Sequence, residues 1–190
     1  VVRPPGHHAT QVTAMGFCLL NHVAVGAHHA LATGLARRVA IIDFDVHHGN
    51  GTQAIFETNP DVLFVSSHQM PLYPGTGHTD ETGCGNITNL PLAPGDGSQA
   101  FRAAWLNRGL PAVERFDPDL ILVSAGFDAH ARDPLGQLEL QDDDYAWITA
   151  EICRIAKQCC NGKVVSLLEG GYDLDALGTA SRAHAQELTA

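Results

Sequence analysis

Four short runs in this chain are apolar at nearly every position, 39–44, 62–66, 120–124 and 164–168, and they are rich in Val, Ile and Leu. Runs of that length without polar alternation are expected of strands buried on both faces, as in a parallel sheet. Between them the spacing turns helical, over 21–37, 98–108 with Pro111 interrupting, 142–160 with acidic residues in its first turn and Gly162 as a stop, and an Ala-rich 174–188. Strands alternating with helices predict an α/β fold, a parallel β-sheet flanked by helices on both faces. No repeat, low-complexity tract or Gly/Ser linker breaks the pattern, so residues 1–190 read as one domain.

Composition narrows the function classes. With 45% hydrophobic and 17% charged residues in 190, the chain can bury a sizeable core. A net charge of −10 with 11 Lys and Arg argues against a nucleic-acid surface, which needs cations on phosphates, and favours cationic partners. The five cysteines, Cys18, Cys84, Cys153, Cys159 and Cys160, have no Cys-x-x-Cys spacing, which points to a reducing compartment rather than a disulfide framework. No apolar run reaches membrane-spanning length and no signal-peptide pattern opens the chain, so a cytoplasmic protein is expected, with no membrane partner. The chain starts at Val1 rather than Met and enters a polar motif at once, which leaves room for an upstream targeting segment.

Each strand candidate runs into a polar loop: Asp43-Phe-Asp-Val-His-His-Gly-Asn, Ser67-His-Gln, Ala125-Gly-Phe-Asp and Glu169-Gly-Gly-Tyr. The carboxyl edge of an open parallel sheet is where ligands bind, so these loops should converge on one crevice. Asp43, Asp45 and His47 are spaced by two, and continued extended geometry points them to one side as a metal-ligand group. A hydrogen-bonded polar cluster at a strand end accounts for that bare spacing about as well. Either Asp128 or Asp133 could add a third ligand, giving two carboxylates and one imidazole to balance a divalent cation and leave an open position. An Asp before Pro is also a common turn residue. His7 and His8 follow Pro4-Pro-Gly, a rigid turn suited to holding two rings for proton transfer, whereas His28 and His29 lie in an Ala-rich helix where packing or surface roles fit.

Six blocks stand in order: Arg3-Pro-Pro-Gly-His-His-Ala, Gly16-Phe-Cys-Leu-Leu-Asn, Asp43-Phe-Asp-Val-His-His-Gly-Asn-Gly-Thr-Gln, Pro74-Gly-Thr-Gly, Gly126-Phe-Asp-Ala-His-x-x-Asp-Pro-Leu-Gly and Leu168-Glu-Gly-Gly-Tyr. Together they resemble the signature of the zinc-dependent histone deacetylase and acetylpolyamine amidohydrolase superfamily, and Asn50 with Glu169-Gly-Gly-Tyr is similar to its class II and bacterial branch. The resemblance implies an arginase/deacetylase-like fold and a hydrolase that removes acetyl groups from acetylated amines, whether acetyl-lysine or acetylpolyamine. It implies Asp45, His47 and Asp133 as metal ligands and His7 and His8 as the acid/base pair, oriented by Asp43 and Asn50. Tyr172 would be the oxyanion donor, and Gly16, Phe17, Tyr73, Leu140, Gly170 and Gly171 would line the substrate channel. Zn2+ is the implied cofactor, with Fe2+ or Co2+ acceptable to the same ligands, and K+ beside Asp43 and Ser66. Self-association is left open.

Family members carry sequence before the Pro-Pro-Gly-His-His block, so the chain is expected to lack the N-terminal third of its domain. Two other functions compete: an arginase-type two-metal hydrolase, which needs further ligands, and a non-catalytic acetyl-ligand binding module, which has no use for His7, His8 and Tyr172.

Overall fold

The computed structural model describes residues 3–190. Five strands, β1 (Val39–Asp43), β2 (Val62–Gln69), β3 (Ile87–Leu92), β4 (Leu120–Ala125) and β5 (Val164–Leu168), form one parallel sheet in the order β3-β2-β1-β4-β5. The helices are α1 (His22–Ala32), α2 (Asn50–Phe56), α3 (Ser98–Ala104), α4 (Leu110–Phe116), α5 (Asp142–Cys159) and α6 (Leu174–Leu188). Every residue of β1 and β2 is buried, as expected of central strands covered on both sides.

The period of two in β1 divides the interior. Val39 and Ile41 face a core with Val23, Ala27 and Ala30 of α1 and with Phe56 and Phe64, while Ala40, Ile42 and Phe44 face a larger core with Trp105, Tyr145, Ile148 and Ile152. Helices thus cover both faces, the α/β arrangement read from the alternation of elements. Among the described residues no helix is long and apolar enough to cross a membrane, and all five cysteines are unpaired.

Some boundaries differ from expectation for physical reasons. Helix α1 stops at Ala32, with Thr33 as its C-cap and Gly34 at φ +73°, instead of running to residue 37. Pro111 does not end its helix: a π-helical turn over Trp105–Gly109 precedes it and re-registers the carbonyls that the proline ring and missing N–H cannot serve. Strand β3 and helix α2 carried no clear periodic signal. The first holds Asn89 and Pro91 at an edge of the described sheet, and the second opens on Asn50, Gly51 and Thr52.

The strand order matters most for function. The chain leaves β1 toward β2 and β3 on one side, then returns to place β4 and β5 on the other. The loops after β1 and β4 therefore diverge and open a crevice at their carboxyl ends.

Candidate metal centre

The row of residues closing the sheet at that crevice is polar: Asp43 is in register with Ser66 of β2 and Ser124 of β4. Just beyond it, Asp45, His47 and Asp128 bring one ligand atom each within 4.8 Å of one another. His47 Nδ1 lies 3.1 Å from Asp45 Oδ1 and 3.2 Å from Asp128 Oδ2. Metal–ligand bonds of about 2.0 Å in tetrahedral geometry set neighbouring donors about 3.3 Å apart, so this donor set fits a divalent metal of that class. Gly126 and Gly170 make the close approach possible, because a Cβ at either would collide with the Asp45 carboxylate, and at Gly170 with Asp128 as well.

The third member corrects an expectation. Asp133 does not join the cluster: its Oδ2 accepts from the backbone N–H of Tyr172 at 2.7 Å and of Asp173 at 3.3 Å, and its Oδ1 accepts from Leu135 N–H at 3.0 Å. Asp128, fully buried in the loop after β4, takes the place, with its Oδ1 held by Val46 N–H at 2.9 Å.

Burial raises the Asp128 carboxyl to about 7, aided by the neighbouring charge of Asp45. Burial disfavours charge on His47, yet its hydrogen bonds to Asp128 and Asp45 prevail and lift it to about 10. Asp45 is held well below the ordinary carboxylate range: burial opposes its charge, and His7 and His47 outweigh that burial. The centre is therefore a buried concentration of negative charge balanced by imidazolium, and metal binding requires His47 to surrender its proton.

Beside it stand His7 and His8, rings 4.1 Å apart. His7 Nδ1 is 2.9 Å from Asp43 Oδ2, and His8 Nδ1 is 2.8 Å from Asn50 Oδ1. Burial works against charge on His7, but Asp43, Asp45 and Glu169 hold its pKa well above the ordinary value. His8 goes the other way, down to about 3, through burial and then the neighbouring charge of His7. The Asn50 amide orders its own surroundings by donating Nδ2–H to Met15 Sδ, which leaves Oδ1 for His8.

A cavity of about 330 Å³ reaches the cluster, lined by Pro5, His7, His8, Gly16, Phe17, Asp45, His47, Tyr73, Leu135, Gly170 and Tyr172. The Tyr73 ring meets His8 edge-on at 5.2 Å, and Phe17 lies 6.2 Å from Tyr172. Burial raises the Tyr172 phenol, and the charges of Asp128 and Asp45 add to it, so it stays a proton donor. Two lining expectations change. Leu140 is wholly buried, its backbone paired with Ala129 and Ala131, and Leu135 stands at the rim instead. Gly171 is not on the wall; its carbonyl turns to the Arg3 guanidinium.

Glu169 escaped the sequence reading as a site residue. Its buried carboxylate accepts from Gly6 N–H at 2.6 Å, His7 N–H at 3.1 Å and Ser124 Oγ–H at 2.9 Å, tying the histidine loop to the ends of β4 and β5. The signal was its position, a carboxylate directly after a buried strand.

Fold and cluster together define an α/β domain with a candidate metal-binding site at the carboxyl edge of its parallel sheet. The histone deacetylase domain model matches residues 1–188, and the chain belongs to that family. It is 46% identical over 184 residues to the chloroplastic histone deacetylase 14 of Arabidopsis thaliana, covering 95% of this chain and 44% of that one. It is 45% identical over 175 residues to the histone deacetylase-like amidohydrolase of Pseudomonas aeruginosa, covering 90% and 46%. The crystal structure of the HDA15 HD domain superposes with a TM-score of 0.92 at 43% identity, covering 98% of this chain and 53% of that one. The chain thus spans about half the length of the relatives it matches.

Proposed function

We propose that the chain forms the catalytic part of a zinc-dependent deacetylase that releases acetate from acetylated amines. The observation that carries this reading is the cluster of Asp45, His47 and Asp128, of which Asp45 and His47 line a cavity together with His7, His8 and Tyr172. Asp45, His47 and Asp128 would hold the metal, which when bound supplies a Lewis acid for the amide carbonyl and for water. Fe2+ and Co2+ suit the same donors. Ser66 beside Asp43 in the sheet is where we place a monovalent cation such as K+.

Proton transfer falls to the two histidines in different states. With Nδ1–H donated to Asn50, neutral His8 presents the Nε2 lone pair as a general base. His7, hydrogen-bonded to Asp43, would be the acid that serves the leaving amine. Tyr172 donates its hydroxyl to the developing oxyanion. The apolar rim of Phe17, Tyr73 and Leu135 suits a methylene chain ending in an acetamide, and the net charge of −10 suits a cationic amine. One ligand cluster among the described residues favours one metal over the arginase-type pair, and the neutral amide at Asn50 supports the class II-like branch.

The test is acetate release from an acetyl-lysine peptide and from acetylputrescine by zinc-loaded protein, with and without chelator. At least one should be hydrolysed and the chelator should stop it; no acetate from either overturns the reading. A finer test concerns Asn50. In Asn50→Asp a carboxylate favours protonated His8, so the acidic limb of the kcat/KM profile should move to higher pH by about one unit or more. An unmoved limb would remove His8 as the base.

A further inference from the structure

We infer that Asp133 and Arg3 are positioning residues that clamp the 170–172 segment and so fix where the Tyr172 hydroxyl stands over the cavity; this rests on the proposed role of Tyr172 for its catalytic meaning. The segment following β5 contains two successive glycines, and Gly171 adopts φ +128°, which residues with a side chain rarely adopt. Paired glycines leave the backbone more freedom than any other dipeptide. The direction of the Tyr172 side chain must therefore be imposed from outside the segment.

Anchors meet it at every residue. Gly170 N–H donates to Asp45 Oδ2 at 2.8 Å, and Gly170 O accepts from Phe127 N–H at 3.0 Å. Gly171 O accepts from the Arg3 guanidinium, which also lies over the Tyr172 ring, 5.3 Å from its centroid. Tyr172 N–H donates to Asp133 Oδ2 at 2.7 Å. The first anchor comes from the metal cluster; the last two come from residues with no place in it.

Asp133 does more than tether one amide. Asp133 is 7% exposed as a residue, and its carboxylate receives three backbone N–H groups, those of Leu135, Tyr172 and Asp173. Hydrogen bonds to an ionised acceptor are short and strong. One side chain thereby sets both Leu135 and Tyr172, which lie on the same cavity wall, and Asp173 in turn caps α6 by accepting from Ala176 N–H at 2.7 Å. A donor displaced by about 1 Å can cost about 10²-fold in rate, so loosening the clamp should be read in kcat.

The chain has three tyrosines, Tyr73, Tyr145 and Tyr172. Uniform 3-fluorotyrosine labelling of the full chain therefore gives three ¹⁹F resonances, assigned by single Tyr→Phe exchanges. In Asp133→Asn and in Arg3→Gln the Tyr172 resonance is expected to shift or split while that of core Tyr145 stays, and zinc content is unchanged. Asp133→Asn should also lower kcat about 10- to 100-fold, and should do little further in a Tyr172→Phe background, because both exchanges remove the same donor. A Tyr172 resonance unmoved in both variants overturns the clamp. So does zinc lost from Asp133→Asn, or a kcat loss that multiplies with that of Tyr172→Phe. Should Asp133→Asn fail to fold, Arg3→Gln decides by the fluorine spectrum. That spectrum needs no turnover, so absence of deacetylase activity would defeat the functional reading and still leave the clamp to be judged.

Discussion

On the proposed function, Asp128→Ala is expected to reduce bound zinc from about one per chain to near zero and to lower turnover by at least about 10³-fold, the several kcal/mol that a bound Lewis acid would supply to the transition state. Two physical effects act together. The exchange removes one of two carboxylates that balance the metal's charge, and it strips Val46 N–H of its acceptor at 2.9 Å. The second effect costs about 1–3 kcal/mol of stability in a buried setting, so thermal unfolding should be followed alongside metal content. Asp128→Asn separates the two: its side-chain oxygen keeps Val46 satisfied, and its neutral amide still weakens the metal site. Zinc retained at full stoichiometry in both variants, by elemental analysis after dialysis, would show that Asp128 is not a ligand.

Tyr172→Phe is expected to lower kcat about 10²- to 10³-fold, the loss that follows removal of one oxyanion donor. KM and zinc content should change little, because the phenyl ring keeps its place near Phe17 and under Arg3 while only the hydroxyl goes. A donor used only in the transition state affects kcat and kcat/KM alike. The phenol is pushed up by burial and then by the carboxylates of Asp128 and Asp45, so its ionisation lies above the ordinary tyrosine range. The alkaline limb of the profile should therefore not report Tyr172. Full activity in Tyr172→Phe would remove the oxyanion role.

The architecture was legible because it rests on period and burial. The all-apolar runs of β1, β2, β4 and β5 named their own strands, and polar residues directly after them named the edge where the site forms. Of Asp43, Asp45 and His47, expected on one side by a strand's period of two, only the last two join the cluster: β1 ends at Asp43, which turns to His7, and Asp45 and His47 lie in the bend beyond it. Asp128 and Asp133 both lie in one irregular loop, where spacing no longer predicts direction, and sequence resemblance chose the wrong one. A useful clue was Pro134, since Asp before Pro is so often a turn residue, and Asp133 indeed spends its oxygens on backbone N–H groups. Leu135 and Leu140 show the same limit. They are one side chain in two settings, and only the tertiary fold decides that Leu140 packs inside while Leu135, 43% exposed, reaches the rim. The roles of Glu169 and Arg3 depend on contacts across 163 and 168 positions in the chain, which no local pattern encodes.

The Glu169 contact with Gly6 closes a loop of 163 positions, and this sets the histidine pair apart from the metal cluster. Closing a longer loop carries a larger entropic penalty, and non-local contacts form late because the intervening chain must be ordered first. Asp45, His47 and Asp128 all stand just beyond the ends of β1 and β4, neighbours in the sheet. His7 and His8 are held instead by the docking of the Pro-Pro-Gly loop on Glu169 at the end of β5. The donor cluster thus rests on two adjacent strands, whereas the histidine pair rests on one contact spanning 163 positions, so loss of the Glu169 carboxylate should loosen the histidines before it disturbs the cluster.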